Sequence, residues 1–266
     1  MFAEAFGDGD MPCPPPLGCG ILGGEGRRNA GPGRKGDAMK RLQRLTERVW
    51  VYPFEEARDR PNLVYIRGGR WSLAADAGHS EDHVRAFYRA LEEEGLTLPE
   101  VTVLTHWHWD HTFGMHAVHG LCLACAGTQA QLLAFRERLA REGAGFFLAM
   151  HESIRREYEG GRRIVVTGAD MVFRGGTELD AGDCPIRVME ADGPHTEDTV
   201  LLEVPSEKVL ILGDADCGPF QGGKADPALA SKLARTIREM NAGICIPGHG
   251  VPLSRESVLE DLARGD

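Results

Sequence analysis

The chain has 266 residues, 42% of them hydrophobic, and a formal net charge of −10. That length accommodates one sizeable domain or two small halves sharing a core, and the acidic balance sets nucleic acid aside as a default partner because it repels phosphate backbones. No apolar run approaches the roughly 18 residues of a membrane span, the N-terminus does not read as a secretory signal, and seven scattered cysteines fit a reducing, cytoplasmic setting better than a disulfide framework.

Residues 1–38 are expected to be a disordered Pro/Gly-rich tail. Met11-Pro12-Cys13-Pro14-Pro15-Pro16 and Gly31-Pro32-Gly33 carry no periodicity, and such a segment buries too little apolar surface to offset its ordering entropy. Two readings stand for it: an over-extended start upstream of Met39, or a regulatory or docking segment. Residues 39–266 are expected to form the folded domain. Within it, 49–52 and 62–66 read as strands and 70–75 as a third, ending at Asp76-Ala77-Gly78. Ser80 reads as the cap of a helix reaching about Glu94, because Glu81 and Asp82 complement its dipole and Gly95 stops it. The apolar run 101–104 is a buried strand. A strand over 121–126 precedes a helical stretch over 128–159 with a break at 143–145. Strands are expected over 163–173 and 185–190, then a hairpin over 199–204 and 208–212, a helix over 228–241, a strand over 243–247 and a closing helix over 254–263.

The strand at 101–104 runs directly into His106-Trp107-His108-Trp109-Asp110-His111. On extended backbone His106, His108 and Asp110 share one side, and a turn at Asp110 would bring His111 into the same cavity. Imidazole nitrogens with a carboxylate suit zinc, and also iron or manganese. Structural zinc sites favour spaced cysteine pairs, so four donors packed this tightly point to a reactive centre.

This run resembles the HxHxDH signature of the metallo-β-lactamase superfamily. The resemblance extends, in order, through the Asp76-Ala77-Gly78 turn, Gly193-Pro194-His195-Thr196, Leu212-Gly213-Asp214 and Pro247-Gly248-His249-Gly250, and so spans about residues 45–255. It implies an α/β (α+β) fold, a four-layer αββα sandwich of two mixed sheets with helices outside. It implies two divalent metal ions, zinc ahead of iron or manganese. His106, His108 and His195 would hold the first, Asp110, His111 and His249 the second, and Asp214 would bridge them. Such a pair lowers the pKa of a shared water and polarises a carbonyl or phosphoryl oxygen, with Asp110 as the catalytic residue that orients the attacking hydroxide and shuttles its proton. The implied reaction is hydrolysis of an ester, thioester, lactone or amide of a small-molecule substrate. Two rivals are kept: an iron-dependent redox enzyme acting on persulfides, and a non-catalytic metal- or ligand-binding member. The glutamate that diiron relatives place where His108 stands is absent.

Around this set, Asp76 either anchors a ligand imidazole or closes a turn with Gly78. Thr196 and Asp198 are candidates for the same supporting work, with plain turn roles as the alternative. Cys122 and Cys125 lie three apart on a strand and read as core. Cys217 reads as a small buried hydrophobe, with an approach to the site as the alternative, His116 and His119 as helix-surface residues, and Trp107 and Trp109 as packing behind the strand, with walls of the substrate cleft as the alternative. The 128–159 segment is either an amphipathic helix pair packed on the sheet or a lid and homodimer contact in which Phe146, Phe147, Met150 and Tyr158 form an apolar face.

Overall fold

The computed structural model describes residues 42–220 and 223–265; the expected tail over 1–38 lies outside the described residues. In chain order the elements are β1 (Gln43–Arg44), β2 (Val49–Tyr52), β3 (Leu63–Arg67), β4 (Ser72–Ala75), α1 (Glu81–Glu93), β5 (Val101–Val103), α2 (Trp109–Thr112), β6 (Leu121–Cys125), α3 (Ala126–Glu142), α4 (Gly145–Leu148), α5 (Glu152–Glu157), β7 (Met171–Phe173), β8 (Gly176–Asp180), β9 (Pro185–Glu190), β10 (Val200–Val204), β11 (Val209–Gly213), α6 (Pro227–Glu239), β12 (Ile244–Pro247), β13 (Leu253–Ser254) and α7 (Arg255–Arg264).

Strand alternation builds the layers. Val49, Val51, Val64, Ile66, Leu73 and Ala75 of one sheet meet Ile186, Val188, Val200, Leu202, Val209 and Ile211 of the other in a common core. The intervening residues face outward. Trp50, Tyr52, Leu63 and Tyr65 pack under Phe87 and Leu91 of α1; Leu201, Leu210, Leu212 and Cys245 pack under Leu233 and Ile237 of α6 and Val258 and Leu262 of α7. Burying a side chain of this size contributes about 1.5–3 kcal/mol, so period-two patterning in the strands enforces the sandwich. The first sheet has the order β1-β2-β3-β4-β5-β6-β7 and the second β13-β12-β11-β10-β9-β8. Both are mixed: β4, β5, β6 and β7 run parallel, as do β11 and β12, and the other pairs are antiparallel. The expected αββα sandwich is therefore the observed architecture.

The cap of α1 is as expected: Ser80 Oγ accepts from the His83 N–H at 3.3 Å, and Gly95 follows the helix at φ 69°. Two local expectations are corrected. The 128–159 stretch forms three helices, α3, α4 and α5, rather than a helix pair. The strand expected over 163–173 is confined to β7, because the backbone before it is diverted: the Ala169 N–H donates to Gln129 Oε1 at 2.8 Å, and Asp170 then joins the Cys122 carbonyl at 3.0 Å. The glycine-flanked β8, for which no element was expected, is a strand because it has β9 to pair with.

Candidate metal centre

Four chain segments deliver the seven residues to one end of the sandwich, at the C-terminal ends of β5, β11 and β12 and in the loop after β9. The run after β5 is not extended as expected. The chain leaves the strand at Val103 and turns into the one-turn helix α2 at Trp109. Asp110 and His111 therefore reach the cavity from a helical turn, while His106 and His108 reach it from the loop before it.

Two groups form. The first is His106, His108 and His195. His106 Nε2 and His195 Nε2 each lie 3.0 Å from His108 Nδ1, so three nitrogens converge on one point. The second is Asp110, His111, Asp214 and His249. His249 Nε2 lies 2.9 Å and His111 Nε2 3.3 Å from Asp110 Oδ2. Asp214 stands between the groups: its Oδ2 is 3.6 Å from His195 Nε2 and 3.7 Å from His249 Nε2, and its Oδ1 is 3.5 Å from His111 Nε2. His195 and His249 form the rim, with side chains 9% and 16% exposed; the side chain of His111 is fully buried.

The imidazoles are aimed by bonds on their far sides. His111 Nδ1 donates to Asp76 Oδ2 at 2.7 Å, and His195 Nδ1 donates to the Gly218 carbonyl at 2.7 Å. Each ring is thereby turned so that its Nε2 faces inward. Asp76, held at φ 66°, also accepts from the Thr105 N–H at 2.8 Å and from Thr105 Oγ1. The Thr105 carbonyl in turn accepts from the Val200 N–H at 2.7 Å, so one carboxylate ties a ligand-bearing turn to both sheets. Asp76 thus bonds the His111 imidazole directly.

The side-chain bonds of Thr196 and Asp198 run to the local turn, to Thr128 and to the Trp107 backbone. Thr196 Oγ1 lies 3.4 Å from Thr199 Oγ1, and Asp198 accepts from Thr128 Oγ1 at 2.8 Å. Thr196 serves the local turn, whereas Asp198 joins that turn to α3. Asp198 also bonds the Trp107 backbone within the histidine run. Cys122 and Cys125 are buried as read, whereas Cys217 is only half-buried. His116 and His119 bond the carbonyls of Phe113 and Pro99, away from the centre. Trp109 is buried, and Trp107 is half-buried against Phe135.

Sequence reasoning missed three neighbours. Phe220 lies 4.7 Å from the His108 ring and 5.0 Å from Trp109, centroid to centroid, and with Trp107 it makes an apolar wall on the His108 side. Asp59 accepts from Trp109 Nε1 at 3.0 Å. Asn62 donates its side-chain amide to the carbonyls of Pro247 and Gly250. None lies in a patterned motif; the alternating charges of Arg58-Asp59-Arg60 were the one available hint.

Charge separates the two groups. Burial, reinforced by His111 and His108, holds His106 well below the ordinary imidazole range; burial and His195 do the same for His108. In the second group burial opposes ionisation but is outweighed. Asp110 and Asp76 hold His111 well above the usual value, and Asp214 and Asp110 take His249 up to about 9. The imidazoles hold Asp110 and Asp214 well below the usual carboxylate range against their burial. The donors fit divalent cations on an independent ground: His111 Nε2 and Asp214 Oδ1 are buried with no hydrogen-bond partner, an arrangement that costs about 1–3 kcal/mol per group unless something bonds them.

The comparisons agree with this architecture. The bovine protein named acyl-coenzyme A thioesterase MBLAC2 is 26% identical over 229 residues, covering 75% of this chain and 77% of that protein; its human counterpart is 24% identical over 227 residues with the same coverage. Among solved structures, a metallo-β-lactamase from Pontibacter korlensis superposes with a TM-score of 0.62 at 18% identity, over 84% of this chain and 96% of that one. The sec-alkylsulfatase Pisa1 from Pseudomonas sp. superposes with a TM-score of 0.60 at 14% identity, over 84% of this chain and 40% of that one. A family model described as the metallo-beta-lactamase superfamily matches residues 62–249, a span that takes in every residue of both groups, and the chain belongs to that superfamily.

Proposed function

We propose that the protein is a metal-dependent hydrolase that cleaves the thioester of an acyl-coenzyme A or a similar acyl thiol, using two divalent cations, zinc in the first instance. The observation that carries this reading is the convergence of seven nitrogen and carboxylate donors, from four segments, into two adjoining groups. His106, His108 and His195 would hold one cation, Asp110, His111 and His249 the other, with Asp214 shared. When bound, such a pair supplies hydroxide at neutral pH and polarises an acyl carbonyl. The thioester assignment draws on the two relatives named for that activity.

The chain's own residues divide the remaining work. Asp110, kept ionised by His111 and His249, can accept a hydrogen bond from the attacking water, orient it and take its proton at a carboxylate oxygen. Trp107 and Phe220 offer an apolar face beside His108 for the acyl group. Thr105 and Asp76 keep the ligand-bearing turn in register. The proposed reaction is cytoplasmic and acts on a small-molecule substrate; no helix among the described residues is long and apolar enough to cross a membrane.

The test is to quantify metal in freshly purified protein, remove and restore it, and follow thiol release from acyl-coenzyme A beside lactone, β-lactam, amide and phosphodiester substrates. Thiol release that tracks metal content supports the proposal. Fully loaded protein that turns over another substrate class and leaves thioesters untouched would sink the substrate assignment, and iron with oxygen consumption would replace it by the redox reading.

A further inference from the structure

A second polar cluster, unused by the reaction above, joins α5 to the loop between β2 and β3. The Glu157 carboxylate is fully buried and sits within a fan of donors. Arg60 donates to it from Nε at 3.0 Å and from Nη2 at 2.8 Å, Ser80 Oγ donates to it, and Arg58 Nη1 lies 3.5 Å away. Tyr158, next along the chain, donates its hydroxyl to the His79 carbonyl at 2.7 Å. The His79 ring then bonds the carbonyls of Arg58 and Asp59, both at 2.9 Å; since both partners only accept, Nδ1 carries the proton. Every bond of this latch ends on the loop over residues 53–62 or on the 76–80 turn that bears Asp76.

The loop so held reaches the metal centre at two places. Asp59, in the left-handed region at φ 52°, takes the indole N–H of Trp109, the residue before Asp110. At the far end, Asn62 donates its backbone N–H to the Gly248 carbonyl at 2.6 Å and its amide to the carbonyls of Pro247 and Gly250 at 2.8 and 2.9 Å, bracketing His249. The loop therefore grips the carriers of Asp110 and of His249, whose reactive atoms stand 2.9 Å apart. His195 is anchored from elsewhere in the chain, by the Gly218 carbonyl.

We infer that the Glu157–Arg60 clamp is a positioning device for the second cation subsite: α5 fixes the 53–62 loop, and the loop fixes the spacing of Asp110 and His249. The inference rests on the two-cation reading above. It gives the α3–α5 segment a role that neither a lid nor a dimer contact describes, since its effect is on one group of donors and not on access to both.

The experiment titrates metal-free, full-length wild type, Arg60→Lys and Trp109→Phe with Zn²⁺ in competition with a chromophoric chelator, resolving a first and a second binding constant, and records thermal unfolding of each. Arg60→Lys keeps a cation beside Glu157 and loses the two-pronged contact, which lysine does not reproduce. Trp109→Phe keeps a ring in the core and loses one N–H. In both variants the second constant should weaken about tenfold or more, within the ~10–100-fold range for groups that orient ligands, while the first stays within about twofold. If Arg60→Lys fails to fold, Tyr158→Phe, which removes one hydroxyl from the same latch, takes its place. Equal weakening of both constants, as a merely structural role would give, overturns the inference; so does an unchanged second constant in either variant. Wild type that binds fewer than two ions overturns the two-cation reading itself, and the inference with it.

Discussion

Asp76→Asn is the sharpest perturbation of the centre, because it changes one oxygen to nitrogen and little else. Asparagine tolerates the φ of 66° at this position better than other non-glycine residues, so backbone strain does not enter. Asp76 uses both oxygens as acceptors: Oδ1 for the Thr105 N–H at 2.8 Å, and Oδ2 for His111 Nδ1 at 2.7 Å. The amide can satisfy only one of these. With its oxygen toward Thr105, its NH₂ faces His111, which must then shift its proton to Nε2, the atom that points at Asp110 and Asp214. With its oxygen toward His111, its NH₂ opposes a backbone N–H. Either way one bond to a charged group is lost, about 1.5–3 kcal/mol, which corresponds to roughly a 10–100-fold change in a binding constant. Zinc titration should show the second affinity weakened by that factor and the first nearly unchanged, with turnover falling in parallel. Unchanged second affinity together with an unchanged melting temperature of the metal-free protein would refute the anchoring role of Asp76.

Other expectations are simpler to state. His195→Ala should lower metal content and hydrolysis together, and full occupancy at full rate would contradict the three-imidazole group. Gly248→Ala should abolish binding at the second group, because a Cβ there would lie 2.1 Å from Asp214 Oδ1 and 2.8 Å from His111 Cε1; metal analysis of the folded variant checks this. Phe220→Ala should raise KM for acyl thioesters several-fold with a smaller effect on kcat, and a kcat effect alone would argue against an acyl wall. Burial pushes the Cys122 and Cys245 thiols up to about 12. Above the ordinary thiol pKa the folded state then holds protons that the unfolded state gives up, so stability falls as pH rises from about 9 toward 12. The denaturation midpoint should drop less over that range in Cys122→Ala/Cys245→Ala than in wild type.

The fold was legible wherever burial alternates along a strand. Val49, Val51, Val64 and Ile66 face one layer, and Trp50, Tyr52, Leu63 and Tyr65 the other, which is the period that sequence displays. It was illegible where structure depends on a partner distant in sequence: β8 is a strand because β9 lies beside it, and residues 163–170 are not, because Gln129 takes one of their N–H groups. The seven donors were legible because each stands in a short pattern with glycine, histidine or aspartate as neighbour. Asp59, Asn62, Glu157 and Phe220 were not, since their roles exist only through contacts across tens of residues, 50 in the case of Asp59 and Trp109. Asp198 was legible only in part: closeness in sequence to His195 did not place its carboxylate on a donor, and it bonds Thr128 and the Trp107 backbone instead.

The unequal chemistry of the two donor groups bears on how a substrate would lie in the proposed reaction. The His106, His108 and His195 group brings no carboxylate of its own, and burial holds His106 and His108 well below the ordinary imidazole range; a cation there would share Asp214 but not face Asp110, and would retain more of its charge than one facing both carboxylates. A carbonyl oxygen gathering negative charge is drawn to the less neutralised side, which is also the side walled by Trp107 and Phe220. The proton released by the attacking water is drawn the other way, toward the ionised Asp110. An acyl group against the aromatic wall and a proton acceptor across from it would suit the proposed thioester cleavage, so the asymmetry of the donors and the asymmetry of the walls point to the same orientation of the proposed substrate.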